Sequence, residues 1–276
     1  MCGLYGFVGN HPRKKEILRG LCICNSERGH HSAGLASVLK NGKWQWMKKA
    51  IHPIRFANLP EFSDLANKGL CHIGHTRHAT VGEHTDENAH PFICGNTIGA
   101  HNGGITNLTE IKNLTKQNFN VDSNYLIYLL DKNNSLEPCR GSLTVTYNQK
   151  NRDEILNLMR FGNQLHIIGD QSGEWIAYSS TLGHLAYAMG FANCDFTHHY
   201  ELKDGEHVRI FLKNNQVTMN IGDTGYKHDN YTRTSSQYNN RSHGHSCSPS
   251  VTGFNSPKNS ANSPNLYDNT YDCHIQ

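Results

Sequence analysis

The second residue of the chain, Cys2, is a candidate nucleophile because of its position. Taken alone, it could equally be an ordinary buried thiol. Its small side chain permits removal of Met1, after which Cys2 would carry both a thiol and a free α-amine. A model α-amine has a pKa of about 8, against about 10.4 for lysine, so it can accept a proton near neutral pH. One residue would then supply both nucleophile and base.

Asn102 and Gly103 could stabilise the intermediate that such a nucleophile forms, since they follow a predicted strand. The Asn side-chain amide and the glycine N–H are both donors that could face a developing oxyanion. Glycine also allows the substrate to approach the backbone closely. The same dipeptide is typical of a turn that only reverses the chain, so the segment by itself leaves both interpretations open.

Two charged residues could hold the ends of an amino-acid substrate. Arg77 comes at the end of a predicted strand, and its planar guanidinium can bind a carboxylate through two parallel hydrogen bonds. Asp122 comes at the predicted start of a helix, where its carboxylate could accept bonds from an ammonium group or simply cap the helix. Together the pair would clamp the zwitterionic end of an amino acid.

The elements that must position these residues are short apolar runs separated by turn signals, from residue 1 to about residue 222. The Asn41-Gly42 pair predicts a tight hairpin turn. Strands are predicted at 4–9, 35–39, 44–47, 71–75, 97–100, 142–147, 165–168, 175–178, 207–212 and 217–221. Helices are predicted at 14–25, at 106–115 with Thr106 as N-cap, and at 122–130. This order indicates an α+β fold with largely antiparallel sheets.

Composition divides the chain and excludes several classes of protein. Residues 224–276 are rich in Asn, Ser, Thr, His and Gly without a period that would bury a face, so we predict a disordered tail after a domain of residues 1–223. A net charge of +3 argues against a dedicated nucleic-acid binder. The sequence contains no run of about 20 apolar residues, the length needed to span a membrane. Its first residues lack the basic start and the long apolar run expected of a signal peptide. Nine scattered cysteines then indicate reduced thiols in the cytoplasm.

A metal-binding protein is the alternative that nineteen histidines and the Cys22-Ile23-Cys24 segment raise. On a strand, His72 and His75 would point to opposite faces, because the side-chain period is two. Two cysteines two positions apart on a helix do not face each other. Because no spacing matches a structural zinc site, the sequence predicts no metal.

Five ordered motifs resemble the class II glutamine amidotransferases, with the closest likeness to the glutaminase domain of glutamine–fructose-6-phosphate aminotransferases. The motifs are Met1-Cys2-Gly3, Arg28-Gly29-His30-His31-Ser32-Ala33-Gly34, His75-Thr76-Arg77-His78-Ala79-Thr80, Asn88-Ala89-His90-Pro91 and His101-Asn102-Gly103. A later stretch from Gly141 to Ile210 also looks like that domain. The resemblance therefore covers about Cys2 to Ile221.

The resemblance implies the fold of the N-terminal-nucleophile hydrolases, a four-layer αββα sandwich with Cys2 at the end of a central strand. It implies that Cys2 attacks the side-chain amide of glutamine, that ammonia leaves, and that water releases glutamate from a γ-glutamyl thioester. No cofactor or metal is required. The implied site residues are Asn102 and Gly103 in the oxyanion hole, Arg77 at the α-carboxylate, Asp122 at the α-amino group, and Thr80 and His90 near the substrate.

The chain departs from the family pattern at four positions, which leaves closure of the pocket and its coupling to an acceptor open. These are His31 in place of Asp, His78 in place of Trp, Val81 in place of His and Asn124 in place of Glu. Because nothing after Ile221 resembles an acceptor domain, we expect the ammonia to pass to a synthetase or transferase on another chain. The alternatives are a stand-alone glutaminase or γ-glutamyl amide hydrolase, and a catalytically silent homologue.

Overall fold

The computed structural model describes residues 1–79 and 82–226 of the chain. Its strands are β1 (Gly3–Gly9), β2 (Ser32–Val38), β3 (Trp44–Lys49), β4 (Cys71–Arg77), β5 (Phe92–Cys94), β6 (Thr97–Ile105), β7 (Gly141–Gln149), β8 (Leu156–Met159), β9 (His166–Gly169), β10 (Trp175–Ser179), β11 (His198–Glu201), β12 (Glu206–Lys213) and β13 (Gln216–Asp223). Its helices are α1 (Lys14–Cys24), α2 (Pro53–Ala57), α3 (Pro60–Lys68), α4 (Leu108–Thr115), α5 (Asp122–Asn133) and α6 (Leu182–Phe191).

The strands of the described residues form two sheets, and every pairing between them is antiparallel. Sheet I has the strand order β11-β9-β10-β1-β4-β2-β3, and sheet II has the order β13-β12-β8-β7-β6-β5. Strand β1 is therefore the central strand of sheet I, with β10 on one side and β4 on the other. This position makes the start of the chain part of the fold.

The alternation of side chains along β1 separates two hydrophobic cores. Leu4 and Val8 pack between the two sheets, against residues of sheet II such as Ile98. Tyr5 and Phe7 point the other way, into a core that sheet I shares with α1, α2, α3 and α6. A third core lies between sheet II and the helices α4 and α5. Three cores between four layers give the αββα sandwich that the resemblance implied.

All the predicted strands and helices are present, with one local correction. Thr106 is not the N-cap of α4, because the helix starts one residue later and Asn107 occupies the capping position. The backbone N–H of Thr106 instead bonds to the carbonyl of Arg140. The prediction missed β5, β8, β11, α2, α3 and α6. Pro53 and Pro60, each at the first position of its helix, were an unused signal for α2 and α3.

The predicted tail lies, from residue 227 onward, outside the described residues. The domain boundary at residue 223 therefore stays a prediction. Within the described residues, no helix is both long enough and apolar enough to cross a membrane.

Candidate active site

Cys2 directly precedes the central strand β1, at the edge of sheet I where β4 ends. Gly3 pairs with Thr76, so Cys2 comes level with Arg77. A side chain at Gly3 has no space, because its Cβ would lie 2.3 Å from Oδ1 of Asn25. The glycine after the cysteine therefore allows the start of β1 to pack directly against Asn25.

A small pocket opens beside Cys2, at the ends of β4 and β6 and the start of α5. Its lining residues are Cys2, Arg77, His78, His90, His101, Gly103, Val121, Asp122 and Ser123. The structure thus brings five of the seven predicted site residues to one pocket. A sixth, Asn102, lies next to it, and Thr80 lies outside the described residues, as does Val81.

The Cys2 thiol is held by the backbone of one residue. Its Sγ atom lies 3.2 Å from the N–H of His78, which donates to it, and 3.5 Å from the His78 carbonyl oxygen, to which the thiol donates. Burial raises the pKa of the thiol above its ordinary value, and this effect outweighs the opposing His78 N–H and the positive charges of the N-terminus and Arg77. The sulfur is therefore protonated at neutral pH and needs a base before it can attack.

The backbone carbonyl of Cys2 accepts two hydrogen bonds that fix the nucleophile. The side-chain amide of Asn102 donates to it at 2.9 Å, and Nε of Arg28 donates to it at 2.8 Å. The Asn102 amide also donates to Oγ of Ser180 at 2.8 Å, and that oxygen accepts the N–H of Leu4 at 2.9 Å. Arg28 and Ser180 have no role in the sequence prediction, although both stand in stretches that resemble the family.

The orientation of the Asn102 side chain is set by a buried histidine. Nε2 of His75 lies 3.1 Å from Oδ1 of Asn102 and 3.2 Å from the carbonyl oxygen of His101. Both partners are acceptors, so the His75 proton sits on Nε2. Burial lowers the pKa of His75 to about 3, which keeps the ring neutral. Because His75 donates to Oδ1, the amide nitrogen of Asn102 is the atom that faces Cys2.

Gly103 borders the pocket in a conformation that a side chain would not tolerate. Its φ is +141°, and a Cβ at this position would lie 1.8 Å from the carbonyl oxygen of Ser142. Glycine therefore keeps this wall of the pocket open down to the backbone.

Arg77 and Asp122 place opposite charges on the same pocket. Arg77 is only 3% exposed, and its Nη1 donates to the carbonyl of Glu83 at 3.1 Å. Asp122 is the first residue of α5, and Val121 takes the N-cap position. Its carboxylate accepts the N–H of Ser123 at 2.9 Å and the N–H of Ile105 at 3.1 Å. A carboxylate fixed by two hydrogen bonds and a guanidinium in the same pocket suit the two charges of a free amino acid.

His90 forms a neutral wall of the pocket. Its ring centroid lies 3.9 Å from that of His75, and the residue is buried. Burial, and then the nearby His75, hold the pKa of His90 well below its ordinary value. The ring is therefore uncharged at neutral pH.

Three histidines, one of which lines the pocket, bring their ring nitrogen atoms close together. These are His30, His31 and His78, whose ligand atoms all lie within 4.8 Å of one another. We call them the histidine cluster. The sequence prediction weighed His72 and His75 as metal ligands and missed this set, because the set joins the ends of two different strands.

Relatives of the chain are known among curated proteins, although no protein-family model matches it. The chain is 40% identical over 113 residues to the glutamine–fructose-6-phosphate aminotransferase (isomerizing) of Campylobacter jejuni subsp. jejuni serotype O:2, over 41% of this chain and 18% of that protein. It is 30% identical over 231 residues to the protein of the same name from Wigglesworthia glossinidia brevipalpis, over 79% of this chain and 35% of that protein. The matches thus span about a fifth to a third of the length of these relatives.

The fold also occurs among solved structures. The chain superposes on a glutamine phosphoribosylpyrophosphate amidotransferase from B. subtilis, complexed with ADP and GMP, with a TM-score of 0.64 and 22% identity. The match covers 82% of this chain and 50% of that one. The predicted N-terminal-nucleophile hydrolase fold is confirmed.

Proposed function

The resemblance to the class II glutamine amidotransferases is confirmed by these relatives and by the shared fold, and from that premise we propose that the chain hydrolyses the side-chain amide of glutamine with Cys2 as nucleophile. One observation carries the proposal. A single pocket contains the thiol of Cys2 beside a guanidinium, Arg77, and a carboxylate, Asp122. A free α-amino acid with a reactive side chain fits these three groups.

The base in this proposal is the α-amine of Cys2 itself, freed by removal of Met1. Among the described residues, the hydrogen bonds of the Cys2 sulfur run to the backbone of His78, which is no base. Met1 is 75% exposed, so an aminopeptidase can reach it. An α-amine with a pKa of about 8 is then the group that can take the thiol proton.

The reaction starts when the α-amine of Cys2 takes the proton from Sγ. The sulfur attacks the side-chain carbonyl carbon of glutamine, and the carbonyl oxygen becomes an oxyanion. The α-ammonium then gives its proton to the side-chain nitrogen, the C–N bond breaks and ammonia leaves. Water, deprotonated by the same amine, attacks the γ-glutamyl thioester, releases glutamate and restores the thiol.

The remaining residues bind and orient the substrate. Arg77 binds the α-carboxylate through paired hydrogen bonds, and Asp122 accepts bonds from the α-ammonium group. Asn102 and Gly103 are the proposed oxyanion donors. With Met1 present, the Asn102 amide is engaged by the Cys2 carbonyl and by Ser180. To donate a hydrogen bond to the oxyanion, the Asn102 amide must therefore exchange or share one of these bonds. His90 and Thr80 stay proposed neighbours of the substrate.

We propose that the ammonia is used by an acceptor enzyme on another chain, in the cytoplasm. The support is the likeness to part of a glutamine-dependent aminotransferase. The second candidate is a stand-alone glutaminase or γ-glutamyl amide hydrolase. Isolation of the protein from its host with its bound partners separates the two, because the second candidate predicts glutamine hydrolysis with no acceptor enzyme attached.

The test of hydrolysis is release of glutamate from glutamine by protein whose N-terminal residue has been sequenced as Cys. Cys2→Ala should abolish the release, and Cys2→Ser should retain a trace at most, because a hydroxyl is the weaker nucleophile. Cys194→Ala is the matched control, since this thiol lies beyond α6, away from the pocket. Glutamate release that persists in Cys2→Ala would contradict the proposal.

A further inference from the structure

The histidine cluster is assembled by the register of two neighbouring strands. His30 and His31 directly precede β2, and His78 directly follows β4. Ser32 pairs with Arg77, so the next residues outward, His31 and His78, come opposite each other. The N–H of His31 confirms the continued pairing, because it donates to the carbonyl of Arg77 at 3.0 Å.

The three rings lie close together in space. The ring centroids lie 4.3 Å apart for His30 and His31, 4.8 Å for His31 and His78, and 5.5 Å for His30 and His78. A fourth ring, that of His84, lies 4.1 Å from the His31 ring. His30 and His84 are exposed, and His31 and His78 are half-buried, so an ion in solution can reach the cluster and the outer rings can turn.

We propose that His30, His31 and His78 form a binding site for a first-row divalent transition metal ion, of which zinc is the type. Neutral imidazole nitrogen is a preferred ligand of zinc, copper and nickel. Zinc–nitrogen bonds of about 2.0–2.1 Å in a tetrahedron separate the ligand atoms by about 3.3 Å. The present separations, within 4.8 Å, must close to that value by rotation of the exposed His30 ring and adjustment of the two half-buried rings. The fourth position is left for water or His84.

Metal binding must displace one hydrogen bond. The N–H of Ala79 donates to Nδ1 of His31 at 2.9 Å, so in this state the His31 proton sits on Nε2. A metal at Nδ1 replaces the Ala79 N–H. A metal at Nε2 moves the ring proton to Nδ1 and breaks the same bond. Occupancy of the site therefore changes the backbone next to His78, whose N–H bonds the Cys2 sulfur.

This inference concerns binding and stands apart from glutamine hydrolysis, so its test uses no substrate. The full-length protein is titrated with Co²⁺ under reducing conditions while the visible absorption of the metal is followed, and bound Co²⁺ is then displaced with Zn²⁺. The test variant is His30→Gln/His78→Gln. The matched control is His166→Gln/His199→Gln, because these two histidines also contact each other, 3.2 Å apart, on β9 and β11.

The expected result is one high-affinity Co²⁺ site in the wild type and in the control, with a spectrum typical of nitrogen and oxygen ligands. In the test variant the affinity of that site should fall by more than the roughly 10- to 100-fold that loss of an outer-shell partner costs. All other histidines are the same in the test variant and the wild type. Any weak binding of Co²⁺ to them is therefore the same in both proteins and does not affect the comparison. Should the double variant not fold, His30→Gln replaces it, since His30 is exposed.

Three results would overturn the proposal. One is equal affinity in the wild type and the His30→Gln/His78→Gln variant. The second is loss of the site in the His166→Gln/His199→Gln control instead. The third is a sulfur-to-cobalt charge-transfer band, which would place the ion on a cysteine.

Discussion

The side-chain amide of Asn102 donates a 2.9 Å hydrogen bond to the backbone carbonyl of Cys2. Asn102 belongs to β6 of sheet II, and Cys2 leads into β1 of sheet I. The bond therefore crosses from one sheet to the other, and the position of the nucleophile depends on how the two sheets pack. Ser180, which directly follows β10 of sheet I, accepts a second hydrogen bond from the same amide.

Asn102→Ala should lower kcat for glutamine hydrolysis by about 10²–10³-fold, the usual cost of one lost oxyanion donor. KM should change much less, because the groups that bind the substrate ends stay in place. Asn163→Ala is the matched control: its amide donates to the Asn102 carbonyl and to Ser142 but does not contact Cys2. Steady-state kinetics measure both, and an unchanged kcat in Asn102→Ala would remove Asn102 from the mechanism.

Arg77→Lys should raise KM for glutamine, because a point charge cannot make the paired hydrogen bonds of a guanidinium. Loss of one charge-assisted bond of about 1.5–3 kcal/mol corresponds to about a 10- to 150-fold increase. Arg209→Lys on the exposed face of β12 controls for the exchange itself. A KM equal to that of the wild type would exclude Arg77 as the carboxylate clamp.

The rate of hydrolysis should rise with pH and level off above about pH 8. Burial raises the pKa of the Cys2 thiol, so the sulfur stays protonated over this range, and the group that titrates is the α-amine with a pKa of about 8. Its unprotonated form is the active one, so kcat/KM should fall about tenfold for each pH unit below that value. The pH profile of kcat/KM is the measurement. A rate that is flat down to pH 6, or one that survives an uncleaved N-terminal extension, would contradict this assignment.

The folded domain should lose stability as the pH falls below about 6.5. Burial lowers the pKa of His72 and of His75 to about 3 each, whereas both would titrate near 6.5 in the unfolded chain. Between these values the unfolded state binds protons that the folded state does not, so each histidine contributes up to about 1.4 kcal/mol of lost stability per pH unit.

Urea unfolding at pH 7, 5.5 and 4.5 measures this slope. His72→Leu should reduce the dependence of the unfolding free energy on pH by the contribution of one histidine, up to about 1.4 kcal/mol per pH unit. This holds whatever the substitution does to the stability at pH 7. His52→Leu, at an exposed histidine before α2, is the control. If the slope of His72→Leu matches that of the wild type, His72 does not titrate as described.

Local pattern was enough for much of the fold. The apolar run of β1, the Asn41-Gly42 hairpin and the helix predicted at 122–130 each follow from neighbours within a few residues, and the structure has all three. The same patterns failed for β11, because its residues are polar and mostly exposed and form no apolar run. They also failed for β8, a buried strand of four residues. Thr106 was misassigned as a cap because the turn into α4 is set by a bond to Arg140, distant in sequence.

By itself, the sequence determined which chemical groups the protein has and which of them lie at the ends of strands and helices. These are a thiol at the second residue, a guanidinium at the end of β4 and a carboxylate at the start of α5. Only the tertiary structure decided what those groups touch. The contact of Asn102 with Cys2, the burial that keeps the thiol protonated, and the meeting of His30, His31 and His78 all depend on strand register and sheet packing. These are set by the summed burial of distant side chains, and no local spacing encodes them.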